Sequence, residues 1–172
     1  MKSYTVCPKS VSDRSAALLK KHFPLHHKLG VSIEHLFVSH DGEGPALKFG
    51  GYPAAGVIRK TSTKERAAGR ADAEMVLDFE HFKTLSPRQQ DALLHHELHH
   101  LAVDIDGKSK QPKVDAAGRP VLKLRKHDRQ FGWFDEIARI YGEDSGEVRQ
   151  ARQLVAEQGQ LYFDLTASDK AA

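Results

Sequence analysis

The chain has 172 residues and a formal net charge of +3, with 40% hydrophobic and 28% charged residues, a composition typical of a globular domain with a hydrophobic core. No apolar run is long enough to span a bilayer, and the N-terminus lacks the apolar segment of a secretory signal, which predicts a cytoplasmic protein without membrane contact. The only cysteine, Cys7, excludes an internal disulfide and a metal site built from several thiolates.

The first half of the chain predicts one helix followed by a small sheet. Residues 1–10 are expected to be irregular, and a helix is predicted from Ser12 to Pro24 as a cover for the domain. Runs of apolar and β-branched residues between Gly- and Pro-containing turns predict strands at 33–40, 47–49, 54–60 and 74–79. The basic stretch 61–70 is predicted to be an exposed loop. Strand 74–79 is a candidate sheet edge for an extended peptide, with an internal strand as the alternative.

A capped helix follows this strand. Ser86, Pro87 and Gln89 form the pattern of a capping box with proline at the first helical position. The apolar periodicity predicts that the helix continues to about Val103, before an end signal near Gly107. The sequence from 93 to 101, Leu-Leu-His-His-Glu-Leu-His-His-Leu, is therefore expected in the middle of a helix.

This stretch contains the pattern His-Glu-x-x-His at His96, Glu97 and His100. Side chains four residues apart on a helix point the same way, so the two imidazoles can take two corners of a tetrahedral zinc site. Glu97 lies close enough to accept a proton from a water held by the same ion, which is the chemistry of a zinc peptidase. We therefore predict that His96 and His100 bind a metal and that Glu97 is catalytic.

The same helix allows two other interpretations. His95 and His99 are also four residues apart, but Glu97 is rotated by about 200° from His95, so this pair lacks a suitably placed carboxylate. The four histidines could also form a polar face that binds nothing. The glutamate, the cap and the apolar flanks favour the metal site.

A basic segment from Lys108 to Lys126 follows, with strand-like alternation at 121–125 and a turn at 115–118. We interpret it as a basic hairpin. It could contact nucleic acid, although it lacks interleaved aromatic residues and such charge more often serves solubility.

A third metal ligand is expected after this hairpin. His127 precedes a helix predicted over 128–142, whose apolar periodicity would let it pack on the motif helix. Asp128, Asp135 and Glu136 are rival ligands that spacing does not exclude. A last helix is predicted over 147–160, followed by a frayed tail.

The order of these elements resembles the putative phage metallopeptidase family, relatives of the SprT-like zinc proteases. The resemblance rests on strand 74–79, the Ser-Pro-capped helix with His96-Glu97-Leu98-His99-His100, the basic hairpin, and His127-Asp128-Arg129-Gln130-Phe131 before an aromatic-rich helix, and it covers about residues 25–142. It implies a compact zincin-like domain in which His96, His100 and His127 bind zinc and Glu97 is the general base.

The resulting prediction is a single α+β domain over 1–172, with its core at about 25–142 and a small, mostly antiparallel sheet packed against the motif helix and a following helix. Its function would be zinc-dependent hydrolysis of a protein or peptide substrate by a monomer, in the host cytoplasm if a phage encodes it. Arg129, His99 and Tyr141 are candidates for holding the oxyanion. The alternative function is a zinc-stabilised module that binds DNA or a host protein through the basic hairpin.

Overall fold

The computed structural model describes residues 1–127, 135–144, 146 and 148–156. It divides into two compact units, one over residues 1–126 and one from His127 onward, which are described separately.

A four-stranded mixed sheet forms the centre of the first unit. Its spatial order is β1-β2-β6-β5, with strands Lys2–Val6, Ile33–His40, Ala73–Asp78 and Gly56–Lys60 respectively. The β1–β2 and β5–β6 pairs are antiparallel, and the β2–β6 pair is parallel. Strands β3 (Lys48–Phe49) and β4 (Tyr52–Pro53) form a separate short hairpin. The prediction of an α+β fold with a small, mostly antiparallel sheet is confirmed.

The structure corrects the sequence prediction at one edge of this sheet and decides between two alternatives at its centre. Residues 1–10 are not irregular, because Lys2–Val6 form an edge strand and helix α1 (Lys9–His22) begins three residues earlier than predicted. Strand β6, the candidate sheet edge, is internal, as in the alternative interpretation, and pairs with a strand on each side. The edge strand beyond β6 is β5, which pairs with no second strand of this sheet.

Helices cover one face of the sheet and build the core there. The apolar residues of α1 pack with those of α5 (Pro87–His99) over the inward-facing residues of β2, β5 and β6. Met75, Leu77, Leu94 and Leu98 are almost completely buried in this layer, where removal of such side chains from water is the main stabilising term. The first unit also contains the short helices α2 (Pro24–Lys28) and α4 (Phe79–Thr84).

The stretch 61–70, predicted as a loop, contains a short helix, α3 (Thr63–Ala67). Ser62 caps it: its hydroxyl accepts from the Glu65 N–H, and the Glu65 carboxylate accepts from the Ser62 N–H. This capping box sits in a stretch too polar and too short for a helical periodicity to stand out. Helix α3 also carries Arg66, whose side chain is only 8% exposed.

The motif helix α5 begins as predicted and ends earlier than predicted. Ser86 and Gln89 form the expected capping box, and Pro87 is the first helical residue. The helix ends at His99 with His100 as its C-cap, so the motif occupies the last turn rather than the middle. The chain then forms β7 (Leu101–Val103), which pairs antiparallel with β8 (Leu122–Leu124). Leu101 and Val103, which the apolar periodicity assigns to the helix, therefore belong to strand β7.

The predicted basic hairpin is present as the β7–β8 pair and its long connection. The predicted turn at 115–118 lies within it, beside an isolated bridge between Val114 and Pro120. The hairpin is fixed to the motif, since the Arg125 N–H donates to the His100 carbonyl at 2.7 Å.

The second unit contains helix α6 (Asp135–Tyr141), a 3-10 helix (Gly142–Asp144) and helical residues 148–156. These parts agree with the helices predicted over 128–142 and 147–160, whose remaining residues lie outside the described segments. In the described residues of both units, no helix has the length and hydrophobicity that a membrane span requires.

Candidate metal centre

The His96 and His100 rings face each other at the end of α5. Their Nε2 atoms are 3.3 Å apart, and the ring planes cross at 79°. Although His100 is the C-cap, its backbone is still in the right-handed helical region (φ −70°, ψ −21°). The i, i+4 relation therefore survives the early end of the helix, and both rings lie on one side.

The hairpin orients His100. Its Nδ1 lies 2.8 Å from the backbone oxygen of Arg125. A carbonyl can only accept, so Nδ1 carries the hydrogen, and in the neutral ring the lone pair is at Nε2, the nitrogen that faces His96. A carbonyl partner on the far nitrogen is the usual way in which proteins fix a metal-binding imidazole.

The spacing of these nitrogens fits a tetrahedral metal ion. Metal–imidazole bonds of about 2.0–2.1 Å at a tetrahedral angle put two ligand nitrogens about 3.3 Å apart. His127, the residue directly after the first unit, offers a ring nitrogen as well, and the ligand atoms of His96, His100 and His127 lie within 4.8 Å of one another. The structure thus brings the three predicted ligands together, and this cluster can hold a metal ion.

Glu97 lies beside the pair but points inward. It is only 4% exposed, and burial raises the pKa of its carboxyl above the ordinary value, since the charged form loses its hydration. The nearby His100 and the backbone N–H of Ile58 both act in the opposite direction and lower this pKa. A buried carboxylate with a raised pKa is a stronger base, and such groups are frequent in catalytic sites.

This burial predicts that Glu97→Gln stabilises the metal-free protein at neutral pH. A folded-state pKa above the unfolded value of about 4.5 means that ionisation favours unfolding as the pH rises through this window. Glutamine keeps the shape without the charge, so we expect its melting temperature to exceed that of the wild type by about 2–4 °C at pH 7. Calorimetry of both proteins with a chelator measures the difference in melting temperature. This difference should vanish below about pH 4, where the Glu97 carboxyl is protonated in both the folded and the unfolded wild type. A constant difference from pH 4 to pH 7 would contradict this origin.

The other pair of histidines faces a different neighbour. The His95 ring stacks on His22 at 4.4 Å and meets Phe23 edge-on. The Nε2 of His99 accepts from Arg125 Nη1 at 2.9 Å. Both rings therefore lie against the end of α1 or the hairpin, away from the facing nitrogens of His96 and His100.

The remaining predicted candidates are placed only in part. Glu136, a rival ligand, accepts two hydrogen bonds from Arg139 within its own helix. Tyr141, an oxyanion candidate, is 58% exposed in the second unit. Asp128 and Arg129 lie outside the described residues, as does the side chain of Asp135.

Sequence reasoning missed two contributors to this site. The sequence indicates Arg125 only as one charge of a basic strand, whereas its backbone orients His100 and its side chain donates to His99. The strand pattern indicates Gly56 only as an ordinary strand residue, whereas it lies against the Glu97 side chain. A glycine inside a strand is a known sign of close approach, so Gly56 had a signal, whereas the carbonyl of Arg125 had none.

A family model described as putative phage metallopeptidase matches residues 3–157 of the chain. The match includes the N-terminal strand and helix, which the sequence resemblance did not cover. No curated protein and no solved structure matches the chain.

Proposed function

Because the chain belongs to the putative phage metallopeptidase family, we propose that it hydrolyses peptide bonds with a zinc ion held by His96, His100 and His127, and with Glu97 as general base. The observation that carries this proposal is the pair of Nε2 atoms 3.3 Å apart beside a buried carboxylate. Imidazole donors and tetrahedral spacing suit zinc, and three protein ligands would leave a fourth position for water or substrate.

Each residue has a distinct task in this proposal. When bound, zinc supplies a Lewis acid that acidifies water and polarises a peptide carbonyl. Glu97 accepts a proton from the attacking water and delivers it to the departing amine. His100 is kept in one tautomer by the Arg125 carbonyl, so its donor atom needs no rearrangement.

We add three further features to the proposal. They are a zincin-like domain related to the SprT-like proteases, a monomeric state, and action on protein or peptide substrates in the host cytoplasm. Fold likeness alone does not define a substrate, so each requires its own measurement.

A role of the basic hairpin in binding DNA receives less support. Lys113 and Lys123 both lie at ion-pair distance from Asp104, at 3.5 and 2.8 Å. The Arg125 side chain contacts His99. The Asp104 pairs reduce the charge that the hairpin can offer to phosphates, and the His99 contact holds the Arg125 side chain against the motif helix.

The test compares hydrolysis of fluorescently labelled, unfolded casein by the wild type and by Glu97→Gln, with zinc content measured in both. Loss of a general base lowers kcat by about 10²–10⁴-fold. Glu80→Gln is the matched control, because it makes the same change at an exposed helical carboxylate that pairs with Lys83. Equal rates for the wild type and Glu97→Gln at equal zinc content would rule out this mechanism.

A further inference from the structure

The edge strand β5 supplies a backbone surface against which the Glu97 side chain rests. Ala55 accepts from the Asp78 N–H, and Thr61 donates to the Asp72 carbonyl. Backbone bonds in an antiparallel pair alternate, so the odd-numbered residues of this strand bond to β6 while Gly56 and Ile58 direct their N–H groups outward. The outward N–H of Ile58 acts on the Glu97 carboxyl, whose pKa it lowers.

Gly56 leaves the space that the Glu97 side chain occupies. A Cβ atom at this position would lie 3.0 Å from both Cγ and Oε1 of Glu97 and 3.2 Å from Cδ, well inside the usual contact distance of about 3.5–4.0 Å between heavy atoms. Among the glycines of the described segments, no other would bring a Cβ so close to a neighbour. Gly56 does not have a positive φ, so its lack of a side chain matters here for space rather than for backbone freedom.

The start of β5 is itself fixed. Asp78, 1% exposed, donates its N–H to the Ala55 carbonyl at 2.9 Å and accepts from the Leu47 N–H at 3.1 Å. The other oxygen of its carboxylate caps α4 through the His81 N–H. Gly56 therefore cannot move away easily, and an added methyl group would displace the carboxylate instead.

We propose that Gly56 is a positioning residue for Glu97: its missing side chain leaves the space against the backbone of the edge strand in which the carboxylate is held. This inference rests on the proposed function, since it assigns the orientation of the general base. Misplacement of a reacting group by about 1 Å can cost about 10²-fold in rate. A displacement of the Glu97 carboxylate by a few tenths of an ångström should reduce the rate by a smaller factor.

The first part of the test measures hydrolysis by Gly56→Ala and Gly56→Val with zinc content verified. We expect kcat to fall about 10-fold for alanine and about 100-fold for valine, with KM within twofold of the wild type and zinc stoichiometry unchanged. Gly107→Ala is the matched control, because a Cβ there meets nothing within 4 Å and its φ is also not positive. A rise in KM at constant kcat would overturn the positioning role.

The second part does not depend on activity. It compares the melting temperature of the metal-free protein with and without Gly56→Ala, in the wild type and in Glu97→Ala. We expect a decrease of about 2–4 °C in the wild type and no decrease in Glu97→Ala, where the methyl group finds room. Equal shifts in both backgrounds would overturn the inference, because the contact would not exist.

The two parts distinguish the failures. If the wild type hydrolyses casein no faster than Glu97→Gln, the proposed function is wrong. Gly56 then cannot position a general base, even if the effects of Gly56→Ala and Glu97→Ala on the melting temperature are coupled. An active wild type with uncoupled melting temperatures removes only the role of Gly56.

Discussion

His96→Ala is expected to reduce hydrolysis to the rate without enzyme and to weaken zinc binding by more than 100-fold. Loss of an outer-shell partner of a metal ligand already costs about 10–100-fold, and loss of the ligand itself removes one of the bonds that hold the ion. His96 is exposed, so the alanine variant should fold normally and the loss can be assigned to the metal. Competition with a chromogenic zinc chelator measures the affinity, and casein hydrolysis measures the activity.

His100→Ala and His127→Ala should behave in the same way as His96→Ala, because the three nitrogens share one cluster. His95→Ala is the control on the same helix, since its ring stacks on His22 and its loss should leave one zinc ion per chain. Normal zinc affinity in His127→Ala would mean that another group is the third ligand. Asp128→Ala and Asp135→Ala are the next variants to measure. Normal affinity in His96→Ala would remove the site altogether.

The parts of this site that the sequence predicts are those that depend on local geometry. The capping box at Ser86 and the i, i+4 pair need only the helix that contains them, and both are present. The predicted end of α5 was wrong, because Leu101 and Val103 pair with a strand about twenty residues later. Periodicity within a window cannot detect such a partner.

The environment of Glu97 shows a second limit. Part of its burial comes from β5, which lies about forty residues earlier in the chain and is aligned by Asp78. Strand β1 was missed for a similar reason, since a five-residue edge strand is stabilised by its pairing with β2 more than by its own sequence. The sequence patterns thus identify reactive residues, while non-local pairing determines how those residues are buried and oriented.

Asp72→Ala is expected to destabilise the first unit by about 3–5 kcal/mol, because it leaves buried cations without their partner. Asp72 is 3% exposed, and one of its oxygens lies 3.0 Å from Arg66 Nη2 and 2.9 Å from Arg119 Nε. The other oxygen accepts from the N–H and the hydroxyl of Ser32 at 2.9 and 2.8 Å. One carboxylate therefore joins the start of β2, helix α3 and the hairpin connection, where Asp115 also lies 3.1 Å from Arg66.

Urea unfolding measures this loss, and Asp13→Ala provides the contrast. Asp13 pairs with Lys9 on the surface, with 61% of its side chain exposed, and surface pairs contribute about 0–1 kcal/mol. Asp72→Asn should fall between the two, since an amide can still bond Ser32 but carries no charge. None of these partners belongs to the metal cluster or contacts Glu97, so kcat per folded molecule should stay at the wild-type value. A loss below 1 kcal/mol for Asp72→Ala would mean that the guanidinium groups of Arg66 and Arg119 reach water or another acceptor, and that the hairpin connection is anchored by its backbone bonds instead.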